Sequence, residues 1–173
     1  MRLDACNAVR GISAPEDELR YIIEDSGASA LVIQSQEVWD KLDLSEEQLN
    51  KLRFVVLLEG SSSSSSEELI SWDELLEKGK DKDSPAINIG RSLDSAKETN
   101  ATILYTSGTT GKPKGVPLTH LNLLHQINSL ACIANPQPGS PILSVLPIWH
   151  SYERSAEYYF FSCGCTQTYT SIR

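Results

Sequence analysis

The segment that most constrains this chain is a loop of small, hydroxylated and basic residues that follows a short apolar strand. From Ser107 to Gly115 the chain contains three glycines, two threonines, two lysines and one proline. Glycine allows the positive φ angles that arrange backbone N–H groups into a concave nest for anions, while hydroxyl and ammonium groups add donors and charge. Because a strand is predicted at 101–105 and a helix at 121–134, with Thr119 as its N-cap, the segment predicts a phosphate-binding loop.

Short apolar runs alternate with helical patterns along the rest of the chain. This order predicts an α/β fold with a mainly parallel sheet layered with helices. The other predicted helices are 15–26, 45–52, a short helix opened by the capping box Ser71–Glu74, and 152–161; the other predicted strands are 30–34, 54–58, 142–146 and 167–170. The apolar stripe expected to face the core from the helix 121–134 consists of Leu121, Leu124, Ile127, Leu130 and Ala131.

Two common phosphate loops do not fit the spacing of this segment. The G-x-x-x-x-G-K-[ST] loop of P-loop NTPases requires glycine at 106 and Ser or Thr at 113, where the chain has Thr106 and Pro113. The dinucleotide fingerprint G-x-G-x-x-G also requires glycine at 106. A phosphate site here would therefore belong to another class, and composition alone would also allow a flexible, lysine-bearing surface loop.

Composition limits the partners of the chain. There are 23 acidic and 15 basic residues, a formal net charge of −8, which argues against a general nucleic-acid binder because such proteins need a basic face. No apolar stretch approaches the ~18 residues of a membrane span. Cys6, Cys132, Cys163 and Cys165 follow no zinc spacing and are expected to be reduced thiols of an intracellular protein. The serine run 61–66 predicts a solvated surface loop.

The loop resembles the signature of the adenylate-forming (AMP-binding) superfamily. Thr106-Ser-Gly-Thr-Thr-Gly-Lys-Pro-Lys-Gly115 matches that signature at every position, and Leu118-Thr-His120 with Asn122-Leu123 resembles the start of the family's next helix. Pro117 and Leu121 are minor departures. The superfamily includes acyl-CoA synthetases, acyl-acyl-carrier-protein synthetases, luciferases and peptide-synthetase adenylation domains.

Other segments narrow the resemblance to the long-chain fatty acyl branch. Leu146-Pro-Ile-Trp-His-Ser-Tyr-Glu-Arg154, Ser155–Tyr158 and Gly164–Thr170 are similar to that branch, in particular to long-chain acyl-acyl-carrier-protein synthetases of cyanobacteria and plant plastids. Asn7–Gly11 and Leu123–Gln126 fit the same group. The resemblance implies an intracellular protein of a plastid or cyanobacterial cell, although the start of the chain has no transit-peptide pattern.

The resemblance implies ATP and Mg²⁺ as cofactors, with a long-chain fatty acid and either acyl carrier protein or coenzyme A as partners. It implies that a carboxylate attacks the α-phosphorus of ATP, that pyrophosphate leaves, and that the acyl group then passes to a thiol. The catalytic residues implied are Thr106, which would also bind magnesium through its hydroxyl, Lys114 and His150. The implied ATP-binding residues are Thr106, Ser107, Gly108, Thr109, Thr110, Gly111, Lys112, Lys114, Gly115, His150 and Ser151.

His150 matches a family position beside the adenylate and the acyl entrance, and Ser151 is a candidate for the same pocket. A hydrogen-bonded structural histidine in a turn is the alternative for His150. Glu153 and Arg154 are expected to form an exposed pair of little energetic value, with structural roles. His120 and His125 stand five residues apart on a predicted helix, where they do not share a face as metal ligands would.

The resemblance also implies what the chain leaves out. Residues 1–173 are expected to be an incomplete N-terminal domain, because the family's magnesium-binding glutamate, ribose-binding aspartate and C-terminal lid domain with its mobile lysine would follow Arg173. The main hypothesis is a fragment of a long-chain fatty acid ligase, inactive alone, and the resemblance allows peripheral membrane association of the parent enzyme. The alternative is a truncated, non-catalytic phosphate-binding module or pseudoenzyme, which a stop codon after Arg173 would favour.

Overall fold

The computed structural model describes residues 5–11, 13–60, 69–80, 97–107 and 111–170. The chain divides into two compact units, one of residues 12–88 and one that combines residues 1–11 with 89–173. The predicted surface loop 61–66 and the loop residues Gly108, Thr109 and Thr110 lie outside the described residues.

Helices and strands alternate through both units. In chain order the described residues form β1 (Asn7–Ala8), α1 (Glu16–Asp25), β2 (Ala30–Ile33), α2 (Gln36–Leu42), α3 (Glu46–Leu49), β3 (Phe54–Leu57), β4 (Leu69–Ser71), α4 (Trp72–Lys80), β5 (Asn100–Thr106), β6 (Lys114–Thr119), α5 (His120–Leu130), β7 (Pro141–Ser144), α6 (Ser151–Ser162) and β8 (Thr166–Tyr169).

The unit of residues 12–88 is built on a parallel sheet. Its strand order is β2-β3-β4, with Ala30 opposite Phe54 and Val55 opposite Leu69. Apolar side chains from β3 and β4 are buried, and removing them from water supplies the main favourable free energy of this core. The buried cluster is Leu52, Val55, Leu57 and Leu69, against which Leu31, Ile33, Trp39 and Leu44 pack.

The second unit contains a mixed three-stranded sheet and a parallel strand pair. β1 runs parallel to β5, β5 pairs antiparallel with β6, and β7 runs parallel to β8. Ala101, Leu104 and Tyr105 of β5 are buried. Strand β5 is thus the central strand of its sheet, and it leads directly into the glycine-rich loop. No helix within the described ranges is long and apolar enough to cross a bilayer.

The α/β class predicted from the sequence is confirmed, and so are two helix caps. Thr119 accepts a hydrogen bond from the Asn122 N–H at 3.2 Å at the start of α5. At the start of α4, Ser71 accepts one from the Glu74 N–H at 3.2 Å, and a Glu74 carboxylate oxygen accepts one from the Ser71 N–H at 2.7 Å. Each satisfies backbone donors that a helix start would otherwise leave without partners.

Several expectations differ from the structure, and the short strands β1 and β4 were not predicted. Helix α2 was not predicted, because it is short and ends at Asp43 in the left-handed region rather than at a glycine. Strand β6 occupies residues expected to belong to the loop and the helix entry; its edge position allows Pro117, which has no N–H to donate. The apolar stripe predicted for α5 is wrong in part: Leu121 and Leu124 are 44% and 42% exposed and Ala131 is exposed, whereas Ile127 and Leu130 are half-buried and Leu123, outside the stripe, is buried.

Candidate functional site

The candidate phosphate loop connects the two strands of an antiparallel hairpin. Strand β5 ends at Thr106 and β6 begins at Lys114, and these two residues lie directly opposite each other. Opposite residues of an antiparallel pair project their side chains to the same face, with Cβ atoms about 5 Å apart. The hairpin therefore places the side chains of Thr106 and Lys114 on one face at the start of the loop, and both residues are exposed.

Glycine is needed at two positions of the loop for different structural reasons. Gly115 lies opposite Tyr105, and a Cβ at Gly115 would lie 3.0 Å from both the Tyr105 Cζ and the Ile103 Cγ2. No described residue lies within 4 Å of a Cβ built at Gly111, but its φ is +87°, a conformation that residues with side chains adopt at a cost. Gly115 is thus required by packing and Gly111 by backbone conformation.

The described part of the loop exposes several groups that can hold an anion. Thr106, Ser107, Lys112 and Lys114 are all exposed, so solvent reaches the side chains that carry hydroxyl and ammonium groups. Such neutral and cationic donors suit a polyphosphate, whose negative charges they can partly neutralise. The roles of Gly108, Thr109 and Thr110, which are not among the described residues, stay predictions.

His150 and Ser151 lie together at the beginning of α6. The His150 Nδ1 accepts a hydrogen bond from the Tyr152 backbone N–H at 3.3 Å, so the imidazole caps the helix. An accepting Nδ1 places the proton of the neutral ring on Nε2, a nitrogen that bonds to no described residue. The capping alternative for His150 is therefore correct as far as Nδ1 is concerned, and Nε2 keeps a donor for a ligand.

Glu153 and Arg154 are buried, which corrects the expectation of an exposed pair. They are 7% and 4% exposed, and no ion pair joins them within the described ranges. Ser144 of β7 donates to the Glu153 carboxylate. The two adjacent side chains are therefore both buried, and each has its own hydrogen-bond partners.

The Arg154 guanidinium joins three segments of the unit. Its Nε donates to the Ile148 carbonyl at 3.2 Å, and its Nη1 donates to the Asn7 Oδ1 at 3.1 Å and the Thr102 Oγ1 at 3.3 Å. The Thr102 hydroxyl in turn donates to the Asn7 carbonyl at 2.9 Å. Sequence reasoning missed Asn7 and Thr102, because no local pattern relates residues so far apart in the chain.

An open cleft of about 820 Å³ lies between α5 and α6 in the same unit. Its lining includes Leu121, Leu123, His125, Ser151 and Tyr152, so part of the mispredicted apolar face of α5 borders this cleft. His125 is exposed and forms no metal cluster: no group of three or more His, Cys, Asp or Glu suited to a metal occurs in the portion of the chain that the structure describes.

Comparison with known proteins gives consistent matches over nearly the whole chain. A model of the family described as AMP-binding enzyme matches residues 1–172. The chloroplastic long-chain-fatty-acid–acyl-carrier-protein ligase AEE15 of Arabidopsis thaliana is 41% identical, over 100% of this chain and 25% of that protein. The probable acyl-activating enzyme 16 of the same plant, also chloroplastic, is 40% identical, again over 100% and 25%.

Solved structures agree on the fold. The fatty acyl CoA synthetase of Mycobacterium tuberculosis superposes with a TM-score of 0.72 at 20% identity, covering 99% of this chain and 31% of that one. At this identity the likeness concerns the fold alone. The chain spans about a quarter of the length of the two Arabidopsis relatives.

Proposed function

The chain belongs to the AMP-binding enzyme family, and we propose that it is part of an ATP-dependent long-chain fatty acid ligase. Such an enzyme activates a carboxylate as an acyl-adenylate and transfers the acyl group to the thiol of acyl carrier protein or coenzyme A. The name of AEE15 supports a fatty acid substrate, and the names of both relatives support a plastid location. This chain spans about a quarter of their length, which supports the view that it is an incomplete N-terminal domain.

The observation that carries the proposal is the placement of Thr106 opposite Lys114 at the start of the loop. In the first reaction a carboxylate oxygen bonds to the α-phosphorus, and the bond from that phosphorus to the β-phosphate oxygen breaks. Both reactants are anions and the leaving pyrophosphate carries more charge, so the protein must supply positive charge and donors there. The exposed Lys114, Lys112, Thr106 and Ser107 offer these groups to the β- and γ-phosphates.

Magnesium fits the donor set of this loop. Mg²⁺ prefers oxygen ligands and is usually held by few protein groups together with substrate phosphates. Among the described residues, we assign the exposed Thr106 hydroxyl as its ligand. When bound, the ion would neutralise phosphate charge. His150 would donate from Nε2 to the adenylate or the acyl carboxyl group, while Ser151 borders the neighbouring cleft.

The test uses the full reading frame that encodes this chain. Pyrophosphate release from ATP is measured with a long-chain fatty acid and magnesium, and a fatty alcohol of the same chain length is the control because it lacks the carboxylate. We expect release that requires the acid. Equal release without any carboxylate would indicate a nucleotide hydrolase and reject the proposal.

Two further arms refine the same experiment. Supplying holo-acyl carrier protein or coenzyme A, and measuring the thioester product, identifies the thiol acceptor. The 173-residue chain is assayed in parallel, and we expect negligible turnover from it. Phosphate binding without adenylation by the full-length product would support the alternative of a non-catalytic phosphate-binding module.

A further inference from the structure

The buried guanidinium of Arg154 joins the strand that leads into the phosphate loop to the turn that carries His150. We infer that Arg154 and Asn7 are positioning residues, which hold His150 in a fixed place relative to strand β5. The inference rests on the proposed ligase function, because it gives this placement a role in adenylate formation.

Arg154 contacts both strand β5 and the turn that carries His150. Thr102, which accepts from Nη1 at 3.3 Å, belongs to β5, the strand that ends at Thr106. The carbonyl of Ile148, which accepts from Nε at 3.2 Å, lies two residues before His150. One side chain thus fixes two segments whose ends carry the predicted catalytic groups.

Asn7 makes the same connection from a third segment. It lies on β1, which pairs with β5 through Asn7 opposite Thr102. Its side-chain oxygen accepts from the Arg154 Nη1 at 3.1 Å, and its carbonyl accepts from the Thr102 hydroxyl at 2.9 Å. Asn7, Thr102 and Arg154 therefore form a triangle of hydrogen bonds in which each residue contacts the other two.

A packing contact independently joins the turn that carries His150 to the segment that begins with β1. The ring of Trp149, the residue before His150, lies so close to Gly11 that a Cβ there would stand 2.4 Å from its Cη2 atom. Gly11 is buried. The turn 147–150 is thus held against residues 7–11 at two places, once by the Arg154 network and once by Trp149.

The chemistry of this network favours a positioning role over simple stability. Arg154 is 4% exposed and Thr102 is 0% exposed, and among the described residues the guanidinium donates to neutral oxygens and has no carboxylate partner. Burying a charge with only neutral acceptors is costly, and apolar side chains of similar volume often give equal or better stability. What the guanidinium adds is a rigid, planar set of donors that fixes the direction of several bonds at once.

The test compares substitutions in the full-length enzyme. Arg154→Lys keeps the charge but replaces the planar donors by a single ammonium, and Asn7→Leu removes the acceptor at nearly constant volume. Asn7→Asp keeps an acceptor oxygen and is the rescue variant. The matched control is Arg20→Lys in the other unit, where the Arg20 Nη1 also donates to a carbonyl, that of Leu42, at 3.0 Å.

The readouts are kcat and the KM for ATP in fatty-acid-dependent pyrophosphate release, together with the melting temperature. Misplacing a catalytic group by about 1 Å can lower a rate by roughly 100-fold, so we expect kcat to fall about 10- to 100-fold in Arg154→Lys and Asn7→Leu. The KM for ATP should change less than about threefold, because the loop itself is intact. Asn7→Asp and Arg20→Lys should retain kcat.

The outcomes separate this inference from the proposed function. An active wild-type enzyme whose Arg154→Lys and Asn7→Leu variants keep kcat, even with lower melting temperatures, would overturn the inference and leave the ligase intact. Loss of kcat in Asn7→Asp equal to that in Asn7→Leu would also overturn it. A wild-type enzyme without acid-dependent pyrophosphate release would overturn the ligase proposal and this inference with it.

Discussion

Thr106 lies directly opposite Lys114 across the β5–β6 hairpin, so their side chains project from the same face of the hairpin where the loop begins. If they bind the pyrophosphate portion of ATP, Lys114→Ala and Thr106→Ala should each lower the rate of adenylate formation in the full-length enzyme. We expect about 100- to 1000-fold, the range found when one preorganised donor to a charged transition state is removed. The measurement is fatty-acid-dependent pyrophosphate release.

Two control variants accompany this pair: one keeps the hydroxyl group at 106, and the other removes a lysine far from the loop in sequence. Thr106→Ser retains the hydroxyl and should keep most of the rate, whereas Lys78→Ala removes an exposed lysine of the other unit and should have no effect on it. Because Thr106 and Lys114 are exposed, their replacement should change the free energy of unfolding by less than about 0.5 kcal/mol. Unaltered rates in both alanine variants would reject the assigned roles.

The two glycines that bound the described part of the loop should respond differently to substitution. Gly115→Ala places a Cβ 3.0 Å from atoms of Tyr105 and Ile103, so we expect a loss of about 1–3 kcal/mol in the free energy of unfolding. Gly111→Ala introduces a side chain at a φ of +87° and should cost about 1–2 kcal/mol.

Substitution by asparagine distinguishes the backbone conformation of Gly111 from the close packing of Gly115. Asn adopts positive φ more readily than Ala, so Gly111→Asn should be less destabilising than Gly111→Ala, whereas Gly115→Asn should be at least as harmful as Gly115→Ala. Chemical denaturation of the four variants provides the comparison. Equal losses for Asn and Ala at 111 would show that backbone conformation does not explain this glycine.

Features set by neighbouring residues could be predicted from the sequence, and features set by distant ones could not. The caps at Ser71 and Thr119 each involve residues three apart, so a local pattern was enough to find them. Strand β6 was missed because its evidence is the partner strand β5, while Pro117 locally argues against a strand. The hydrogen bond between Asn7 and Arg154 joins residues 147 positions apart, and no local pattern indicates such a bond. From the local sequence, Glu153 and Arg154 therefore looked like an ordinary exposed pair.

His150 has two roles that a pair of substitutions can separate. Its Nδ1 caps α6, and its Nε2 is proposed to contact the ligand. His150→Asn should keep a side-chain acceptor for the Tyr152 N–H, whereas His150→Ala should lose the cap and about 1 kcal/mol in the free energy of unfolding. Both variants should be slowed in adenylate formation, since neither has an imidazole. Full activity in His150→Asn would show that the histidine serves only as a cap.

Tyr169 of β8 should give the second unit a stability contribution that is lost in strong alkali. Its hydroxyl donates to the Glu157 carboxylate at 2.5 Å, and this hydrogen bond, together with burial and the carboxylate charge, raises the pKa of Tyr169 to about 12. An unfolded tyrosine has a pKa of about 10. Because the folded pKa is the higher one, the contribution is fully present below pH 10 and declines as the pH rises towards 12.

The difference in stability between wild type and Tyr169→Phe measures this contribution. Tyr169 is 50% exposed, so solvent screening should limit the difference to less than about 1 kcal/mol at neutral pH. We expect it to stay constant up to about pH 10 and to shrink above that value, with tyrosinate absorbance reporting the titration. Glu157→Gln removes the charge but keeps an acceptor oxygen, and should lower the pKa of Tyr169 towards its usual value. A difference that disappears well below pH 10 would contradict the proposed cause, because the phenol would still be protonated in both states.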